Sequence, residues 1–221
     1  MHWSNRHTGK WSAIAIVLLS AAYIVTGATW LFTARDTAAA RLQPSDPYLA
    51  ILESLILASS CAIVPLFAAI YSIAPNNKKA FGLAAFGFAL LLVAMTGAVH
   101  TISLMAVRGT TNANVAETFA LYSADGRLTP LLSVDLLGWD LFFGLAMLFA
   151  ATPFRHDRLK NTIRIGLILG GSMCLIGFSG PASGALRFQF LAIIGYAFVF
   201  PAVCVPLAIF FSRHDGQPKE L

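Results

Sequence analysis

Six apolar runs, each long enough to cross a bilayer and separated by polar connections, leave this chain little freedom of fold. A span needs about 20 mostly apolar residues. In lipid every backbone N–H and C=O must be satisfied within the structure, which favours a helix for each run. The runs are Trp11–Thr33, Tyr48–Ala74, Ala80–Val107, Pro130–Phe154, Ile163–Ser179 and Phe188–Phe211. The predicted fold is an all-α, polytopic bundle of six transmembrane helices, one domain over residues 1–221. PNNKK breaks the chain after the second run, and GPASGALR reads as a short turn before the sixth. Pro130 suits the first turn of the fourth helix. Pro65, Pro201 and Pro206 fall inside spans and are expected to kink the second and sixth helices.

Composition agrees. The chain is 57% hydrophobic and 11% charged, with a mean hydropathy of +0.74. Soluble domains carry about 25% charged residues. The net charge of +5 does not indicate nucleic acid, because the cations sit at the ends of apolar runs with no basic, aromatic-interleaved cluster. The first run, about 23 residues, exceeds the 7–15 of a signal-peptide core and reads as a helix that stays.

Orientation follows from the connections. With the N-terminus in the cytoplasm, Arg6, Lys10, Lys78, Lys79, Arg155, Arg158, Lys160, Arg164, Arg213 and Lys219 fall inside. Arg35, Arg41, Arg108, Arg127 and Arg187 fall outside. Every lysine is then internal, so both termini are expected in the cytoplasm.

The fourth run carries the chemistry. PLLSVDLLGWDLFFGLAMLFAATPF holds two acids, Asp135 and Asp140, with Trp139 between them. An aspartate at a span centre costs about 2.5–3.5 kcal/mol on insertion scales, so such residues face protein, water or a ligand. Only Glu53 and His100 join them as ionisable groups within spans. At the helical rise, Glu53 lies roughly 9 Å, His100 roughly 10 Å, Asp135 roughly 8 Å and Asp140 roughly 15 Å from the outer ends of their helices. All four belong to the outer half of the membrane. Asp135 and Asp140 lie about 140° apart around an α-helix, so they are expected to meet different neighbours. Thr96, His100 and Ser103 share a stripe on the third helix, and Tyr23 and Trp30 share one on the first.

These residues suggest an outward-facing polar pocket between helices two, three and four. Asp140, Asp135, Glu53 and His100 are the candidate catalytic groups. Trp139, Trp30, Tyr23, Thr96, Ser103 and Tyr196 are the candidate ligand contacts. The first expectation is a membrane protein that binds a small or lipidic ligand, in a sensor or accessory role, with a tryptophan face for a cationic head group. The alternative is an intramembrane acid–base enzyme, an isomerase or cyclase acting on an isoprenoid or lipid. A small-solute transporter is third, weakened by the lack of an evident inverted repeat. One further alternative assigns the set to hydrogen bonding that fixes helix register.

No cofactor is expected, and no metal: one intramembrane histidine and no HxxxH, HExxH or ExxH make a poor ligand set. His2, His7, His156 and His214 lie in polar segments. Cys61, Cys174 and Cys204 lack CxxC spacing and read as buried packing residues. Gly166 with Gly170, and Gly180 with Gly184, have small-xxx-small spacing, which suits packing within the bundle or, alternatively, a homodimer.

At LESLILASSCAIVPLFAAIYSIAPNNKKAFGLAAFGFALLL the chain resembles small bacterial membrane proteins of a large uncharacterised family. Those proteins also carry an acid early in helix two, a proline within it and a basic, Asn-rich turn before helix three. DLLGWDLFFGLAMLFAATPF resembles hypothetical bacterial inner-membrane proteins. The resemblance implies a six-helix fold and a bacterial inner-membrane setting, and it implies no activity.

Overall fold

A computed structural model describes residues 5–33, 46–107, 110, 128–155 and 157–213. Arg35, Arg41, Arg108, Arg127, Lys219, His2, His156 and His214 lie outside the described residues. Six helices in this structure are long and apolar enough to cross a membrane, and among the described residues there is no strand. The protein is an all-α, multi-pass membrane protein. Helix α1 covers Asn5–Thr33, α2 Tyr48–Ile73 and α3 Lys79–Ile102. Helix α4 covers Pro130–Ala150, α5 Arg158–Ser183 and α6 Gln189–Arg213.

The helices form a ring in chain order. Each packs on its sequence neighbours, and α1 closes the ring against Phe200–Arg213 of α6. The closure is one-ended. All the buried residues of α1, Gly9, Ser12, Ala13 and Ile16, lie in its first half, and Gly9 meets the Phe211 ring. The second half of α1 exposes Val25, Leu31 and Phe32, and the first half of α6 exposes Phe190 and Phe198. The two helices therefore splay apart toward the connection ends at Thr33 and Gln189.

Local chemistry explains the helix ends. Thr129 caps α4, its hydroxyl accepting from Leu132 N–H at 3.0 Å, with Pro130 in the first turn as expected. Asp157 caps α5, and Lys79 donates to the last carbonyls of α2, those of Tyr71 and Ser72, at 3.0 and 2.9 Å. Two expected boundaries move. Helix α1 begins at Asn5 and α5 at Arg158, because a helix continues into its polar flank after the apolar run has ended. GPASGALR is not all turn: α5 runs through Pro181 to Ser183. It stops at Gly184, whose φ of +75° is the left-handed cap that glycine adopts freely.

At the end away from the splay, the interior is filled. Phe143 packs edge-on to Phe200 at 4.7 Å, and Phe67 stands 6.2 Å from each of them. Helices α4, α5 and α6 approach closely through glycines: a side chain at Gly177 would meet the Cβ of Ala192 at 2.3 Å. Gly166 faces Val203 and Gly170 faces Met147, so this small-residue stripe is used inside the chain. Cys174 and Cys204 are buried, whereas Cys61 is exposed on the outer face of α2, against the expectation for all three.

Candidate functional site

Alternation of helix direction brings the second half of α1, the first half of α2, the end of α3 and the starts of α4 and α6 to one level. A cavity of about 560 Å³ opens there. Its walls come mainly from α1 (Ser20, Tyr23, Gly27, Trp30, Leu31), α2 (Leu49, Leu52, Glu53, Ile56, Ser59) and α6 (Phe190, Ile193, Tyr196, Ala197). Helix α3 gives only His100, and α4 gives Asp135 and Trp139. The expected pocket between helices two, three and four is thus relocated. Helices α2, α3 and α4 supply the polar floor, and α1 and α6, which splay, supply most of the remaining wall. The cavity reaches Ser20, roughly 20 Å along α1 from Thr33 at the helical rise, so it extends well into the span.

The floor is one connected cluster. His100, fully buried, bonds through Nδ1 to Glu53 Oε2. Ser103, one turn on, donates to the other Glu53 oxygen at 3.1 Å. On its far side, His100 Nε2 lies 3.3 Å from Asp135 Oδ1, within range for charge attraction but not aligned as a hydrogen bond. Glu53 and His100 are 4% and 1% exposed at the side chain and Asp135 is 14% exposed, so the Asp135 side chain is the most open of the three, although its Oδ1 is buried. Tyr23 lines the same cavity as Glu53 and Asp135. Above the floor, Trp139 leans on Tyr196 at 5.2 Å and meets Phe143 edge-on at 5.5 Å, which ties the pocket wall to the aromatic core.

The structure brings together Glu53, His100 and Asp135 but sets Asp140 apart. Asp140 is fully buried and does not line the cavity. Its Oδ1 accepts from Gln189 Nε2 at 3.3 Å, and its Oδ2 has no hydrogen-bond partner. The two aspartates do meet different neighbours, His100 of α3 and Gln189 of α6, with the π-helical turn Leu137–Phe142 between them in place of regular α-helix. Trp30, Tyr23, Trp139 and Tyr196 all line the cavity. Ser103 acts one layer back through Glu53. Thr96 is fully buried off the cavity, its hydroxyl without a hydrogen bond. Gln189 was missed by sequence reasoning, although an amide at the start of an apolar run is the kind of residue that seeks a buried acid.

Three π-helical turns border the site: Ser103–Val107 after His100, Leu137–Phe142 around Trp139 and Asp140, and Gly195–Val199 around Tyr196. Such turns are rare and concentrate at functional sites. The last one stands just before Pro201, whose ring would clash with the Ala197 carbonyl in a regular α-helix. Widening the turn relieves that clash and rotates Tyr196 relative to the residues beyond.

Glu53 and Asp135 approach different nitrogens of one imidazole, so the three groups point at each other and do not converge on a common point. Among the described residues, no group of three or more His, Cys, Asp or Glu has a metal-holding arrangement. No family model, curated protein or solved structure matches the chain. The site is therefore interpreted from its own geometry.

Proposed function

We propose that the protein binds a small or lipidic ligand in this cavity, in a sensor or accessory role. The observation that carries the reading is a large cavity with a polar floor and apolar walls beside two splayed helices. The head of an amphiphile fits against Asp135 and the Glu53–His100 pair behind it. Its chain fits along Leu31, Leu49, Ile56 and Ile193. The splay of α1 from α6 gives a lateral route from the lipid phase.

The setting we propose is the bacterial inner membrane, with both termini in the cytoplasm. The bias of lysine and arginine supports the orientation. Lys78, Lys79, Arg155 and Arg158 lie at the end away from the cavity, which then opens in the periplasmic half.

Gly27 provides the test. A Cβ built on it meets nothing within 4 Å, and Gly27 lines the cavity. Gly27→Phe therefore has room for its Cβ and puts a ring on the cavity wall. Native mass spectrometry of protein extracted from its membrane is expected to show a retained small molecule or lipid, lost in Gly27→Phe. Equal retention by the variant would refute the reading.

A second reading is acid–base chemistry on the bound molecule. It is favoured by an imidazole set between two carboxylates, Asp135 and Glu53, all three lining the cavity within reach of a bound molecule. Asp135→Asn keeps the shape and removes the outermost acid. On this reading it abolishes turnover of the bound molecule while binding persists.

A further inference from the structure

This inference rests on the reading of the cavity as a ligand pocket. We propose that the ligand carries a positive charge at one end: an amphiphilic amine or quaternary ammonium compound. The floor presents two carboxylates, Glu53 and Asp135, to a single imidazole. One imidazole carries at most one positive charge and cannot neutralise both acids. No lysine or arginine among the described residues lines the cavity. A cation entering the cavity supplies the missing charge next to Asp135, where desolvation strengthens the attraction.

The walls repeat the preference. Tyr23 and Trp30 from α1, Trp139 from α4 and Tyr196 from α6 line the same space. Trp139 and Tyr196, inclined at 40° with 5.2 Å between centroids, pack on each other in one wall. Aromatic faces attract alkylammonium groups, and tryptophan does so best. A carboxylate or phosphate head without a cationic group would meet two acids and an imidazole already set between them. A neutral alcohol would bind by its chain alone.

The experiment uses the full chain in lipid nanodiscs and three probes of equal chain length: decyltrimethylammonium, decanol and decyl sulfate. Binding is measured by equilibrium dialysis of the radiolabelled probes, with empty nanodiscs subtracted. The cationic probe is expected to bind saturably and about tenfold more tightly than decanol, with no saturable binding of decyl sulfate. Trp30→Leu, in the open half of α1, is expected to weaken the cation about tenfold and leave decanol unchanged. Asp135→Asn is expected to do the same, and Trp30→Leu carries the test if that variant fails to fold. The proposal is overturned if decanol or decyl sulfate binds as tightly as the cation, or if Trp30→Leu leaves the preference intact. Saturable binding of decanol without preference would sink the charge assignment and keep the pocket. Saturable binding of none of the three would remove both.

Discussion

Removing His100 should cost more than removing both His100 and Glu53. His100 stands between two acids that are otherwise close to dry, with Asp135 at 3.3 Å. At that distance and an effective dielectric constant of about 20, one ion pair is worth about 5 kcal/mol of Coulomb attraction. Desolvation of the partners offsets much of it, but a charge left behind loses its partner without regaining water. Breaking a buried pair from one side therefore costs about 3–5 kcal/mol. His100→Leu leaves Glu53 with Ser103 and the cavity, and Asp135 with the cavity. The expected loss in apparent Tm is on the order of 10 °C, at roughly 2–4 °C per kcal/mol for a chain of this size. Adding Glu53→Leu removes one of the two stranded acids, the drier one, and should restore part of the loss, with a coupling energy of about 2 kcal/mol, while Asp135 stays unpaired. The assay is reversible unfolding in mixed micelles, followed by circular dichroism, across the double-mutant cycle. A single variant within about 0.5 kcal/mol of the parent and an additive double would refute the reasoning, since the three groups would then not form one cluster.

Two further outcomes follow from packing and charge. Gly177→Ala puts a methyl group where Ala192 Cβ would lie 2.3 Å away and its backbone nitrogen 2.7 Å away, so unfolding measurements should show a loss of about 1–3 kcal/mol. Fluorescent-protein fusions at the C-terminus should fluoresce in the cytoplasm, whereas alkaline phosphatase inserted within 111–127 should be active outside; the reverse pattern would invert the proposed orientation.

The spans were legible because a bilayer forces length, apolarity and internal hydrogen bonding together. The shared depth of Glu53, His100 and Asp135 was also legible, since alternating direction converts position in each run into height. What surrounds each residue at that height was not. The wall of α1 and α6 depends on how the ring closes, and α1 closes only through Gly9, Ser12, Ala13 and Ile16. Nothing local to Phe190 or Ile193 marks them as facing a cavity. Asp140 illustrates the same limit. Its distance along the chain from Asp135 excluded a common direction, but its partner, Gln189, lies 49 residues away. The π turns left no mark on the hydropathy pattern, and of the three only Gly195–Val199 stands beside a proline, Pro201.

The central claim is that a cavity floored by Glu53, His100 and Asp135 holds a molecule from the membrane. A cryo-EM map of the protein in native lipid tests it most directly. The account predicts elongated non-protein density between α1, α2 and α6, its polar end beside Asp135 and Trp139. A collapsed interior there, with Glu53, His100 and Asp135 tied off separately against the protein, would contradict it.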